Sequence, residues 1–192
     1  MNKDILRKVF LEKRLALSRR EWGKRNEMLI SVFVDTIDIS GISVLHIFLP
    51  IENKREPDTW SLIDKIQEKY PALKISVPRT IWQTRSMDNY IFENREQIEE
   101  NSMGIPEPVS GTIIDDKLID MVVVPLIIFD KNGNRLGFGK GFYDAFFKKC
   151  RKDVKKVGLS LSTLLDRIPY MEDHDIMLDR CVTPYGVINF TS

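Results

Sequence analysis

Gly137, Gly139 and Gly141 alternate through the stretch Gly133-Asn-Arg-Leu-Gly-Phe-Gly-Lys-Gly-Phe-Tyr-Asp144, which also carries Arg135 and Lys140. Glycines at this spacing let the backbone approach a ligand closely and take conformations that a β-carbon forbids. Successive main-chain N–H groups can then converge on an anion, as in the nests that hold phosphates. Two fixed cations beside them suit a polyanion such as a nucleoside triphosphate. An apolar run over residues 120–129 precedes the loop, and a helix is expected over about 142–151. A strand, a glycine loop and a helix start, in that order, aim N–H groups at a bound phosphate. The pattern is neither of the two familiar phosphate loops. Lys140 is followed by Gly141 where a P-loop needs Ser or Thr, and the third glycine comes too early for a dinucleotide loop. A glycine-rich turn without a ligand is the bland alternative. Arg135, Lys140 and Asp144, clustered within ten residues, argue against it.

The elements that must hold this loop alternate between helical and extended patterns. Residues 3–17 read as a helix anchored by Ile5, Leu6, Val9 and Phe10, and Ser18-Arg-Arg-Glu21 is a capping box opening a second helix to about Val34. Strands are expected over 43–49, 73–77, 88–92, 121–125 and 155–161, with a helix over about 58–70 closed by Pro71. Ile105-Pro-Glu-Pro108 reads as a rigid extended loop. Strands alternating with helices predict an α/β fold, one three-layer α/β/α domain over residues 1–192 with a mostly parallel sheet. On the first helix Lys3, Arg7 and Arg14 share roughly one face. A solvated cationic face is the ordinary reading of that stripe.

Composition narrows the function. A chain of 192 residues, 43% hydrophobic and 30% charged, suits one soluble domain with a real core. A net charge of +1 leaves no global field for nucleic acid or a membrane surface, so anion binding must come from local clusters. Cys150 and Cys181 have no spacing that suggests zinc or a disulfide framework. No secretory signal and no apolar run of membrane-spanning length is present, so a cytoplasmic location is expected.

The run Asn-Arg-Leu-Gly-x-Gly-Lys-Gly-Phe-Tyr-Asp, preceded by Phe129-Asp-Lys-Asn-Gly133, resembles the signature of the 5-formyltetrahydrofolate cyclo-ligases, also called 5,10-methenyltetrahydrofolate synthetases. The resemblance implies a fold like that of the phosphosugar isomerases and coenzyme A transferases. It implies ATP contacts from the Lys3-x-x-x-Arg7 pair and from Arg135, Gly137, Phe138, Gly139, Lys140, Gly141, Phe142 and Tyr143. Arg14 gains nothing from the match and is expected at the surface. By the same resemblance Asp144 and Asp175 hold Mg²⁺, with Asp173 and Asp179 as alternative positions for the second ligand. Asp144 could otherwise cap its helix, and Asp175 could sit in a solvated acidic loop. On the folate side the resemblance implies Leu49, Glu56 and Met103, beside Gly139, Lys140 and Gly141. Glu56 could instead serve as a charge at the N-terminus of the following helix. Met103 stands where some relatives carry a tryptophan, and Phe142 where a tyrosine is common.

The implied reaction is an ATP-dependent ring closure of 5-formyltetrahydrofolate, with Lys140, Arg135 and Tyr143 as catalytic groups and a monomer as the working unit. No Ser-His-Asp or Cys-His arrangement is expected, since His46 falls in a buried strand and His174 merely adjoins Asp175. Two other classes fit the layered pattern: a phosphosugar isomerase, which would need a base over a sugar carbon, and a non-catalytic folate- or nucleotide-binding module. No such base stands out, and Lys140, Asp144 and the glycine alternation are intact.

Overall fold

A computed structural model of the chain describes residues 2–169 and 175–190. Four α-helices are present among them: α1 (Lys3–Leu15), α2 (Arg19–Thr36), α3 (Thr59–Lys69) and α4 (Phe142–Phe147). Each of the first three begins on a side chain that accepts an otherwise unpaired N–H. Asn2 takes that of Ile5, Ser18 that of Glu21 within a complete capping box, and Asp58 that of Ser61. Twelve strands follow in chain order: β1 (Val44–Ile47), β2 (Lys74–Ile81), β3 (Ser86–Ile91), β4 (Ile98–Glu100), β5 (Pro106–Pro108), β6 (Ile113–Ile114), β7 (Met121–Pro125), β8 (Ile128–Phe129), β9 (Arg135–Leu136), β10 (Lys155–Leu159), β11 (Arg180–Thr183) and β12 (Gly186–Asn189).

Eight strands form one sheet in the order β12-β11-β10-β7-β1-β2-β3-β6. The five from β11 to β2 pair parallel, and β12, β3 and β6 add antiparallel edges. Alternation along the strands sorts the core. Leu45, Ile47, Met121, Val123, Val157 and Leu159 pack with Leu29 and Phe33 of α2 and Leu62, Ile63 and Ile66 of α3. Val44, Val122, Val124 and Cys181 pack with Phe146 and Phe147 of α4. Helices thus cover both faces, which is why β1 is buried along its whole length and β7 from Met121 to Val124.

Several boundaries differ from expectation for physical reasons. Helix α4 stops at Phe147, where its last apolar anchors end and the exposed Lys148 and Lys149 begin. Strand β2 runs on through Pro78. Its pairing with β1 ends at Ser76, so the missing proline N–H leaves no ladder bond unmade on that side. The Pro-Glu-Pro segment is a paired strand, β5 against β4, rather than a loop. Arg14 is the clear correction: it is not on the surface but 3% exposed. Its Nε donates to the Lys54 carbonyl at 2.9 Å and its Nη1 to the Leu126 carbonyl at 3.1 Å. Two backbone carbonyls from distant loops outcompete water for it.

Candidate active site

A pocket of about 360 Å³ opens at the carboxyl ends of the central parallel strands, where Phe48 and Leu49 follow β1, Thr80 sits late in β2 and Pro125 ends β7. Ligands of open α/β sheets settle at this end because the loops there are free to vary. One wall is cationic and glycine-rich. The other is apolar and carries two buried carboxylates.

The cationic wall is built by α1, the 137–141 loop and β9. Gly139 and Gly141 adopt left-handed backbone angles, with φ of 77° and 76°, and Gly141 occupies the cap position of α4. Asp144 therefore does not cap the helix. A β-carbon at Gly139 would lie 2.9 Å from Arg7 Cζ, so any other residue would displace the Arg7 side chain as well as strain the left-handed backbone. Arg7 Nε donates to the Gly137 carbonyl at 3.0 Å, fixing the loop to the helix. Arg135 lies with its guanidinium over the Phe147 ring, donating to Asp144 Oδ1 at 2.9 Å and to the Ile176 carbonyl. Lys140 and Phe138 stand at the rim. Lys140 is exposed and enters no ion pair among the described residues.

Asp144 and the 175–176 segment come together at one edge of this wall. Asp144 Oδ1 accepts the Ile176 N–H at 3.4 Å, which ties the 175–176 segment to α4. Asp175 Oδ2 is 2.8 Å from Lys3 Nζ. Both line the pocket. Asp179 does not: its Oδ2 accepts from the Lys156 N–H at 2.6 Å and lies 3.0 Å from Lys156 Nζ. Asp173 and His174 lie outside the described residues. No cluster of three or more His, Cys, Asp or Glu groups suited to a metal occurs among those described. The two carboxylates offer only hard oxygen donors, a set that fits Mg²⁺ completed by phosphate oxygens and water.

On the opposite wall Glu56 is 3% exposed, with its Oε2 accepting the Ile51 N–H at 2.8 Å. Burial raises its pKa, opposed by that hydrogen bond and by the Arg14 charge. It does not serve α3, whose cap is Asp58. Leu49 is buried beside it, and Met103 is exposed at the mouth. Tyr143, on α4, bonds its hydroxyl to His46 Nε2 at 3.2 Å. Burial drives the phenol pKa well above its usual value, so the hydroxyl keeps its proton. Phe142 meets the edge of Trp82 with ring centres 5.1 Å apart.

Three residues of the pocket region escaped sequence reasoning. Glu107 is buried on β5, its Oε1 accepting from the Thr80 N–H at 2.8 Å and from the Thr80 hydroxyl. A lone acid between two prolines was its only signal. Trp82, in the β2–β3 hairpin, is 36% exposed against the pocket. Nothing local marks it. Arg14 does not line the pocket but braces it from behind, 5.8 Å from the centre of the Phe138 ring.

The comparisons with known proteins agree along the whole chain. A family model described as the 5-formyltetrahydrofolate cyclo-ligase family matches residues 1–184. The mouse 5-formyltetrahydrofolate cyclo-ligase is 28% identical over 183 residues, covering 88% of this chain and 87% of the mouse protein. A solved structure of Aquifex aeolicus 5,10-methenyltetrahydrofolate synthetase superimposes with a TM-score of 0.85 at 29% identity, covering 100% of this chain and 94% of the other. The Mycoplasma pneumoniae synthetase structure shares the fold, with a TM-score of 0.73 at 22% identity over 96% of this chain and 99% of its own. This chain belongs to the 5-formyltetrahydrofolate cyclo-ligase family.

Proposed function

We propose that this enzyme uses ATP, with Mg²⁺, to close 5-formyltetrahydrofolate to 5,10-methenyltetrahydrofolate, releasing ADP and phosphate. The observation that carries this reading is the division of one pocket: a cationic glycine-rich wall faces an apolar wall bearing Glu56, Glu107 and Trp82. A triphosphate suits the first wall. A donor-rich pterin suits the second, where a buried carboxylate can accept ring N–H bonds.

The chemistry needs an activated oxygen. A formyl oxygen is a poor leaving group, because its expulsion as hydroxide is unfavourable near neutral pH. Attack by that oxygen on the γ-phosphorus displaces ADP and turns the oxygen into part of a phosphate ester. N10 then attacks the formyl carbon, loses its proton, and phosphate departs with the electron pair of the C–O bond. No covalent enzyme intermediate is required. The protein places two substrates in line and neutralises charge moving among phosphate oxygens.

In this scheme Lys140 and Arg135 steady the β- and γ-phosphates, and the N–H groups of the 137–141 loop cradle them beside Phe138, Phe142 and Tyr143. Lys3 and Arg7 close over the nucleotide from α1. Tyr143 offers a hydroxyl that stays protonated and so can donate. Glu56 orients the pterin, Leu49 and Met103 line its slot, and Gly139, Lys140 and Gly141 border both substrates. Asp144 and Asp175 would hold Mg²⁺, which supplies charge neutralisation at the phosphates. The same reading takes residues 1–192 as one three-layer α/β/α domain like the phosphosugar isomerases and coenzyme A transferases, acting as a cytoplasmic monomer without nucleic-acid or membrane partners.

Inorganic phosphate measured with each substrate alone and with both together tests the reading. Stoichiometric release only with both supports it. Release from ATP without the folate would point to a simple ATPase.

A further inference from the structure

The geometry points to Arg14 as a positioning residue that holds the nucleotide wall and the folate wall of the pocket in one frame, so that its loss weakens the binding of both substrates. This rests on the assignment of the two walls given above. One side chain joins four segments, its own helix and three others. It springs from α1, which also carries Lys3 and Arg7. Its Nε donates to the Lys54 carbonyl at 2.9 Å, in the loop that leads to Glu56. Its Nη1 donates to the Leu126 carbonyl at 3.1 Å, directly after Pro125 of the pocket floor. Its Cζ sits 5.8 Å from the centre of the Phe138 ring, in the glycine loop.

The remaining nitrogen makes the case sharper. Nη2 is buried and has no hydrogen-bond partner among the described residues, and burial lowers the Arg14 pKa against the opposing charge of Glu56. An unpaired buried donor on a cation is costly, and a residue with no task beyond solubility would leave that group in water. The fork geometry explains why arginine is used. Two nitrogens reach carbonyls from segments 40 and 112 residues away, whereas lysine concentrates its donors on one atom.

The test compares the full-length protein with Arg14→Lys and with Leu29→Ala, a core change in α2 remote from the pocket. KM for ATP, KM for 5-formyltetrahydrofolate, kcat and the thermal midpoint are measured for each. Arg14→Lys should raise both KM values, each by about tenfold, a modest share of the roughly 100-fold that a small misplacement can cost. Leu29→Ala should lower the midpoint yet leave both KM values within about twofold, as loss of core packing alone does. Amide exchange in the ligand-free protein reads the same link without substrate. Arg14→Lys should speed exchange in α1 and in residues 51–56 together. A rise in only one KM, a fall in kcat alone, or unchanged exchange in either segment overturns the proposal. Wild-type protein inactive on these substrates would defeat the proposed reaction instead, and the exchange measurement would still decide the role of Arg14.

Discussion

Arg135 Nη2 donates to Asp144 Oδ1 at 2.9 Å, and the pattern repeats nearby, where Lys3 Nζ lies 2.8 Å from Asp175 Oδ2. Each carboxylate assigned to Mg²⁺ is thus paired with a cation assigned to phosphate. Magnesium must compete for both carboxylates until a triphosphate draws the cations away. Free Mg²⁺ should therefore give no saturable heat in calorimetry at concentrations where Mg²⁺ with a non-hydrolysable ATP analogue binds clearly. Tight binding of the metal alone would contradict these ligand assignments.

Among the described residues Lys140 has no ion pair to give up, and its exposed side chain carries little of the fold. Lys140→Ala should lower kcat/KM by about 100-fold, the cost seen when a positioned donor to transition-state charge is lost. The thermal midpoint should not move. A loss under about tenfold would remove Lys140 from the reaction.

Gly139→Ala combines two effects. The left-handed backbone costs an alanine about 1 kcal/mol, and the new methyl group would press on Arg7 Cζ from 2.9 Å. Arg7 must swing away from the Gly137 carbonyl. Steady-state kinetics should show KM for ATP raised severalfold, and by more than KM for the folate, because the displaced Arg7 serves the nucleotide. A larger rise for the folate than for ATP would contradict that role of Arg7.

His46 gives the fold an acid-sensitive point. Burial lowers its pKa from 6.5 to about 3, with the Asn89 side chain opposing the shift. A group depressed in the folded state contributes stability that is complete above its unfolded value. That contribution fades as pH falls from 6.5 toward 3. At about 1.4 kcal/mol per pH unit the loss reaches roughly 3–5 kcal/mol. Urea unfolding across this range should show a steeper decline for the wild type than for His46→Gln. Parallel curves would show that His46 does not titrate in this window.

These predictions draw on features of unequal visibility in the sequence. The Ser18–Glu21 capping box, the apolar runs of β1 and β7 and the glycine loop are local patterns, and local rules describe them. Arg14 obeys the same helical spacing as Lys3 and Arg7, yet its carbonyl partners lie 40 and 112 residues away, so spacing alone reads it as solvated. Glu107 has the same problem. Its partner Thr80 is on another strand, and the prolines around it suggest a loop until β4 pairs beside it. Pro78 looks like a strand end, and becomes harmless only because β1 has already stopped pairing. Family resemblance singled out Lys140, Asp144 and Glu56, and all three line the pocket. Their convergence there is not legible in any local pattern.

The central claim is that one pocket couples ATP cleavage to closure of the folate ring. Near-ultraviolet absorbance of the methenyl product tests it most directly, with wild-type protein, 5-formyltetrahydrofolate, ATP and Mg²⁺, and with ATP or Mg²⁺ withheld in turn. The account predicts growth of the product band only in the complete mixture, matched mole for mole by ADP. A flat trace from folded protein that binds both ligands, or growth without ATP, would contradict it.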